Sequence, residues 1–544
     1  MERLSKVLDN TDYRNKIGEK IYLIYFAVMV GARASGLYEG MLVYNVTLVI
    51  GMLLFGLKML VTKHTRKEYV LSGLLILLAG IVYLHTGEKG LLVCFTMMLG
   101  MKHVSVRKTI KTGAAVGGLF IIAKIILGVF RLTSEIYYPQ WRSGMDIMFR
   151  HALGYPHPNS LHMNVAMLGM MICYLVTSFL MCSNKEENEN VLNFQKRDRV
   201  ILVIIMSVLI IAFNYYVYLY SGSRTGLLGC IFYLLVNAWL FFRKKIGLFE
   251  KICLYSFFPI VCFIAIILPF AIDGELYNWL NWNVFSTRYD IAKYFWSNNS
   301  LSLFGIRLNN PDEVFKTYGI DMAQLYLLLQ LGIIAFITVS LLTMWFITNA
   351  IKEDKRAELS VLMGALFLGI WEPYLYNLSY KNFVYVFWGA MLFKEGCKIQ
   401  NDIVLKERVN IKKLSKRILS AVIVGFVVGL ISSAIYLNVI PKPSALYGDR
   451  QKSESGELFN MEELYFTQEQ VKEMKSQGDI FIGYKNETTP MYKYDSELAV
   501  MEYKKFAISV GVWIGIATCT VLLMIMFGNR RYPESNKNKQ RTNR

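Results

Sequence analysis

Charge is scarce in this chain: only 18% of its 544 residues are Asp, Glu, Lys or Arg, against 54% hydrophobic residues. Mean hydropathy is +0.37. A soluble domain carries about a quarter charged residues, so that class is excluded. Histidine is rarer still, six in all and none beyond His162, so any imidazole chemistry must come from the first third. Of eight cysteines, Cys94, Cys173, Cys230, Cys262 and Cys519 fall inside apolar runs, and Cys182, Cys253 and Cys397 fall at their predicted cytoplasmic ends. With no CxxC and none in an outer loop, neither a disulfide framework nor a thiolate metal centre is expected. The chain has no GxxxxGK[ST] loop, which excludes an ATP-driven engine. The first outer loop, ARASGLYEG (32–40), has no Asp-x-Asp, and no outer loop clusters Asp and His at metal-ligand spacing. That disfavours a metal-dependent transferase of the oligosaccharyl type. The polar N-terminus (MERLSKVLDNTDYRNKIGEK) has no small-residue cleavage site, so no signal peptide is expected to be removed.

What the chain does have is apolar length. Runs of roughly 17–25 residues, enough to cross about 30 Å of hydrocarbon, recur from end to end. The spans are read at approximately 20–36, 41–57, 69–85, 89–101, 113–130, 159–182, 200–220, 225–242, 252–272, 321–349, 357–373, 383–393, 418–440 and 506–528. The net charge of +19 resembles that of a nucleic-acid binder, but its distribution points to a membrane. Lys and Arg gather at 56–68, 102–112, 183–199, 243–251, 352–356, 394–417 and after Gly528, where the positive-inside rule marks the cytoplasm. The expected fold is therefore all-α: a polytopic membrane protein of about 14 spans with both termini cytoplasmic. Its parts are a cytoplasmic N-terminus (1–20), a transmembrane core (21–395) and a basic linker (396–417). A helical hairpin (418–528) then carries an outer module (441–505), and a basic tail (529–544) closes the chain. In the module, Thr467 and Gln470 form a capping box, Gly478 a helix stop, and DIFIGY (479–484) a short strand.

This topology carries every unusual polar cluster to the outer face: GMDIMFRHALGYPHPNSLH (144–162), YLYSGSRTGLLG (218–229), the loop 273–320, and WEPYLYNLSYKN (371–382). Arg224, Arg288, Arg150 and Arg307 lie there against the positive-inside gradient. Arginine's planar, permanently charged fork suits a diphosphate. Snorkelling or pairing with a nearby acid is the plainer reading of any one of them. His157, between two prolines, is either a general base or a cap for the helix starting near Asn159. Glu372, in W-E-P, is either a base or the counter-ion of Arg224, and Asp321 is a weaker candidate of the same kind. Trp141, Trp282, Tyr289 and Tyr376 can stack on sugar rings, although interfacial aromatics belong to any membrane protein. Gly222 and Gly226, around S-R-T-G, also have a packing explanation in a tight turn.

Over 20–395 the order of parts resembles the Wzy-type repeat-unit polymerases and O-antigen ligases, integral membrane glycosyltransferases of the GT-C kind. The resemblance rests on G-Y-P-H-P-N, S-R-T-G-L at 223–227, T-R-Y-D-I-A and L-F-G within 287–305, D-M-A-Q-L-Y-L-L-L-Q-L-G at 321–332, and E-P-Y-L-Y-N at 372–377. It implies an undecaprenyl diphosphate-linked oligosaccharide as donor, growing polysaccharide as partner beside membrane lipid, inverting transfer, and no metal or other cofactor. It also implies that Arg224 and Arg288 contact the diphosphate. Ligases typically carry a histidine just before the helix that here begins at Asp321; this chain has only Asp321 and Gln324 there. That departure favours a polymerase of capsule or exopolysaccharide synthesis at the bacterial plasma membrane. The alternatives are ligase-like transfer to another acceptor, or a lipid-linked oligosaccharide flippase or transporter. The region after 400 lies outside the resemblance, and its outer module is expected to contact the glycan or a chain-length regulator.

Overall fold

A computed structural model describes residues 11–38, 40–130, 132–133, 137–142, 145–182, 196–312, 318–376, 382–394, 411–442, 446–453, 456–465, 481–484, 490–494 and 496–528. It has two compact units. The first holds α1 (Thr11–Ala34), α2 (Leu42–Val61), α3 (Arg66–Thr86), α4 (Gly90–Leu99), α5 (Val106–Val129), α6 (Pro158–Cys182), α7 (Lys196–Ser221) and α8 (Arg224–Phe242). It continues through α9 (Leu248–Ala271), α10 (Gly274–Trp279), α11 (Arg288–Asn298), α12 (Ala323–Leu325), α13 (Ile333–Lys352), α14 (Arg356–Leu368) and α15 (Val384–Leu392).

Among the described residues ten helices are long and apolar enough to cross a membrane: α2, α3, α5 to α9 and α13, with two more in the second unit. This fits an all-α, multi-pass membrane protein. Helix α6 stands apart: 78% of its most apolar window is buried inside the protein, whereas the other nine bury 17–44%. The bundle is built around α6, and its neighbours keep broad apolar faces for lipid. Small residues set the close contacts. A side chain at Gly113 would meet Phe26, one at Gly226 would meet His162, and one at Gly364 would meet Tyr233. Helices α4 and α15, with 10 and 9 residues, rise only about 15 Å. The runs 89–101 and 383–393 are therefore not complete helical crossings. Both helices are almost entirely buried against protein, which removes the demand for full length that lipid contact imposes.

The predicted span 321–349 is corrected more sharply. It begins with the short α12, turns through a π-helix at Tyr326–Gln330, breaks at Gly332, and only then becomes α13. Gly332 has φ +97°, and Gly305, in L-F-G, has φ +85°. Their backbones interlock: Ile306 N–H donates to the Gln330 carbonyl and Ile333 N–H to the Ser302 carbonyl, each at 3.0 Å. A Cβ at Gly332 would run into the Gly305 nitrogen. Gly332→Ala is therefore expected to cost at least about 2 kcal/mol, read as a lower unfolding temperature of the detergent-solubilised protein.

The second unit is a hairpin of α16 (Ile411–Val439) and α17 (Ser496–Gly528). Gly425 lies against Gly515 and Gly429 against Gly511, each 2.6 Å from a Cβ position to the facing carbonyl. This pairing makes the helices antiparallel, with two small-xxx-small stripes bringing the backbones together. Between them, β1 (Leu446–Ser453) and β2 (Phe481–Tyr484) flank β3 (Pro490–Tyr494) in antiparallel register, β2 and β3 with an irregularity between Phe481 and Gly483. The strand expected in DIFIGY is β2. The helix expected from Thr467 to Gly478 lies outside the described residues, as do most of the linker 396–417 and the tail after Gly528. Other strands occupy Tyr137–Arg142, Met145–His151 and Gly456–Tyr465, none of which was expected.

Candidate functional site

Four distant sequence clusters meet at one end of the first unit through a continuous chain of hydrogen bonds. Helix α6 begins at Pro158, whose fixed φ suits a first helical position. The His157 ring Nδ1 accepts the Asn159 backbone N–H at 3.1 Å. Asn159 then bridges two charged groups. Its Nδ2 donates to Glu372 Oε1 at 2.9 Å, and its Oδ1 accepts from Arg150 at 2.5 Å. Arg150 Nε donates to the Ser221 carbonyl at 2.8 Å, placing a cation on the C-terminal end of α7.

Ser221 organises the S-G-S-R-T-G turn. Its Oγ accepts the Ser223 N–H and lies against His162 Nδ1, both at 3.2 Å, while Gly222 takes the left-handed φ of +57°. A Cβ on Gly226 would lie 2.5 Å from His162 Cγ. The two glycines thus make the turn and admit the histidine ring, as the packing reading expected, and that turn aims Arg224. Arg224 is exposed at the first position of α8, where the helix dipole disfavours a cation. Its guanidinium donates to Ser286 Oγ at 3.0 Å and to the Asn283 carbonyl at 3.4 Å.

The segment it touches is strained. Ser286 and Thr287 have φ of +50° and +67°, and a β-branched residue in that region costs roughly 1–3 kcal/mol. Asn281, almost fully buried, holds the turn: its carbonyl accepts Thr287 N–H at 2.8 Å, and its amide bonds Asp290 at 2.6 Å and Tyr289 N–H at 3.1 Å. Strain of this kind collects where a side chain must be aimed, and the next residue is Arg288.

Arg288 is only 9% exposed. Nε donates to the Trp371 carbonyl at 2.6 Å, and the other guanidinium nitrogens reach the Phe285 carbonyl at 3.3 Å and Glu372 Oε1 at 3.2 Å. Asp321 Oδ2 stands 3.4 Å from Nε. The Glu372 side chain is 4% exposed, whereas that of Asp321 keeps 36% of its surface. The surrounding protein nevertheless desolvates the Asp321 carboxyl and pushes it above the usual carboxylate range, while Arg288 pulls it back.

This geometry sorts the candidates. His157 fills the capping role: with Nδ1 accepting the helix N–H, its neutral ring carries the proton on Nε2 and has no lone pair there. Glu372 is the ion-pair partner of Arg288, its Oε1 shared by two donors, and it is the more enclosed of the two carboxylates. Asp321, more open and shifted upward, is the better proton acceptor. Tyr289 and Tyr376 are 0% and 1% exposed. They are core residues, closed to a sugar ring in this arrangement, because Phe285 stacks on Tyr289 at 4.1 Å and Tyr376 lies in the apolar interior. Trp282 is 64% exposed, and the side chain of Trp141 lies outside the described residues. Arg307 is exposed, and no described contact ties it to the cluster. Asn159, Ser221 and Asn281 had no place among the sequence candidates. The signal for Asn159 was its position beside His157.

Together these features define a helical multi-pass membrane protein with an arginine-rich, carboxylate-braced site at one end of its bundle. Comparisons with protein-family models, curated proteins and solved structures find no match to this chain.

Proposed function

We infer that the protein polymerises lipid diphosphate-linked oligosaccharide repeat units into a capsular or exopolysaccharide at the outer face of the bacterial plasma membrane, as a Wzy-type glycosyltransferase. The observation that carries this reading is the bonded chain Arg150–Asn159–Glu372–Arg288, which gathers the cationic clusters of four segments beside Arg224. In the topology we propose, the chain crosses the membrane about 14 times, at 89–101 and 383–393 by segments helical for only part of the way, with both termini cytoplasmic and this end of the bundle facing outward. The far ends of the same helices support that orientation, with Arg197 and Arg199 in the first turn of α7 and Arg243, Lys244 and Lys245 directly after α8.

In this mechanism the exposed Arg224 takes the donor diphosphate, and Arg288, already braced, adds field from behind. An acceptor hydroxyl attacks the anomeric carbon as that carbon's bond to the diphosphate oxygen breaks. The electron pair leaves with the lipid diphosphate, and the proton passes to Asp321. The rate should therefore rise with pH through the raised Asp321 midpoint and fall as acid protonates it. Asp321→Asn should remove that acid limb together with most of the activity. His157→Ala should leave the limb in place and cost about 1 kcal/mol of stability through the lost cap. A pH–rate profile of the three proteins decides between the bases.

The reading itself is tested by reconstituting the purified protein with its host's lipid-linked repeat unit in EDTA. A ladder of longer lipid-linked glycans supports it. Transbilayer movement without a ladder would replace it with transport.

A further inference from the structure

Gln324 is fully buried, and neither its amide nitrogen nor its amide oxygen has a partner among the described residues. Each such orphan forgoes the hydrogen bonds it makes to water in the unfolded chain, and an apolar residue of the same size would avoid both penalties. The amide sits in a space that a glycine keeps open: its nitrogen is 3.2 Å from where a Cβ on Gly369 would be. Next to it, Ala323 N–H donates to the Gly369 carbonyl at 2.8 Å. Gly369 is two residues before Trp371, whose carbonyl holds Arg288, and Gln324 is three residues after Asp321. The segment is a short helix running into a π-turn and a glycine break. Such interrupted helices within membrane proteins are where polar ligands are commonly held.

We propose that the Gln324 carboxamide is a sugar-reading group that binds two vicinal hydroxyls of a pyranose ring. This rests on the reading of the site as a glycosyltransferase centre. A carboxamide presents one acceptor and one double donor side by side in a plane. Adjacent ring hydroxyls match that pair: one donates to Oε1 while the other accepts from Nε2. A ligand satisfying both orphans would recover in the complex what the free protein forgoes. A site built to hydrogen-bond a hydroxyl also discriminates strongly against sugars that lack it. The side chain has no exposure here, so the glycan reaches it through a shift of 321–330, where the short α12 and the π-turn interrupt the regular helical ladder ahead of the Gly305–Gly332 interlock.

The test compares the full-length wild type with Gln324→Leu. The probe is the free repeat-unit oligosaccharide released from the host polysaccharide, intact or with its vicinal diols cleaved by periodate. Binding is read by saturation-transfer NMR and unfolding temperature in detergent. Wild type should bind the intact probe about 10- to 100-fold more tightly than the cleaved one. Gln324→Leu should be at least as heat-stable, bind the intact probe that much more weakly, and lose the distinction. A folded leucine variant with wild-type affinity and selectivity overturns the proposal, as does a wild type that binds neither probe. The polymerase reading fails separately, through the absence of a ladder. A Gln324→Leu protein that makes the wild-type ladder at unchanged KM sinks the sugar-reading role alone.

Discussion

Arg288→Ala should abolish polymer formation and remove about 3–5 kcal/mol of stability, the usual cost of stripping one partner from a buried ion pair. Glu372, 4% exposed, would lose the guanidinium while Asn159 still donates to the same oxygen, and Asp321 would lose its cation. The Trp371 and Phe285 carbonyls would lose donors as well. Two comparisons separate stability from chemistry. Arg288→Met combined with Glu372→Leu should recover much of the lost stability, since apolar residues of similar volume replace buried ion pairs at little net cost. It should recover none of the activity. Arg288→Lys should stay folded with little activity, because an ammonium cannot reproduce the planar fork that reaches Trp371, Phe285 and Glu372 together. Unfolding temperature and ladder yield on one set of preparations are sufficient. An active, stable Arg288→Ala protein would remove this residue from the site.

Arg224→Ala should show the opposite division, an activity loss of about 10²–10³-fold with little change in stability. Its guanidinium is exposed and reaches Ser286 Oγ and the Asn283 carbonyl at 3.0 and 3.4 Å. Exposed contacts of that kind contribute little to folding. A preorganised donor to a developing oxyanion contributes several kcal/mol to the transition state. Arg224 also steadies the strained Ser286–Thr287 turn that precedes Arg288, so its loss should be less than additive with Arg288→Lys. Unchanged turnover in Arg224→Ala, with the protein in the membrane, would move the diphosphate elsewhere.

The sequence was most informative where lipid imposes a one-dimensional rule. Apolar run length and the sides on which Lys and Arg gather located helices through every predicted span, and the parity of those spans brought 144–162, 218–229, 278–296 and 371–382 to one end. Two of the predicted spans, 89–101 and 383–393, hold helices of only 10 and 9 residues, because burial against protein releases a helix from the bilayer's length rule. The span at 321 was misread because an uninterrupted apolar run gives no sign of the Gly305–Gly332 interlock that breaks it. The small-xxx-small stripes of the C-terminal hairpin were legible in principle at Gly425, Gly429, Gly511 and Gly515.

Residue type and position alone determined that this chain is helical and apolar and that Arg150, His157, Arg224, Arg288, Asp321 and Glu372 belong to one end of the spans. The roles within that cluster were decided only by the tertiary structure. Whether Glu372 answers Arg224 or Arg288, whether His157 caps a helix or takes a proton, and whether Tyr289 faces a sugar or the core all depend on contacts between residues up to 213 positions apart. Sequence patterns report local periodicity and hydropathy. They carry no record of which buried donor meets which acceptor, and that pairing sets the charge and proton affinity of each group in the site.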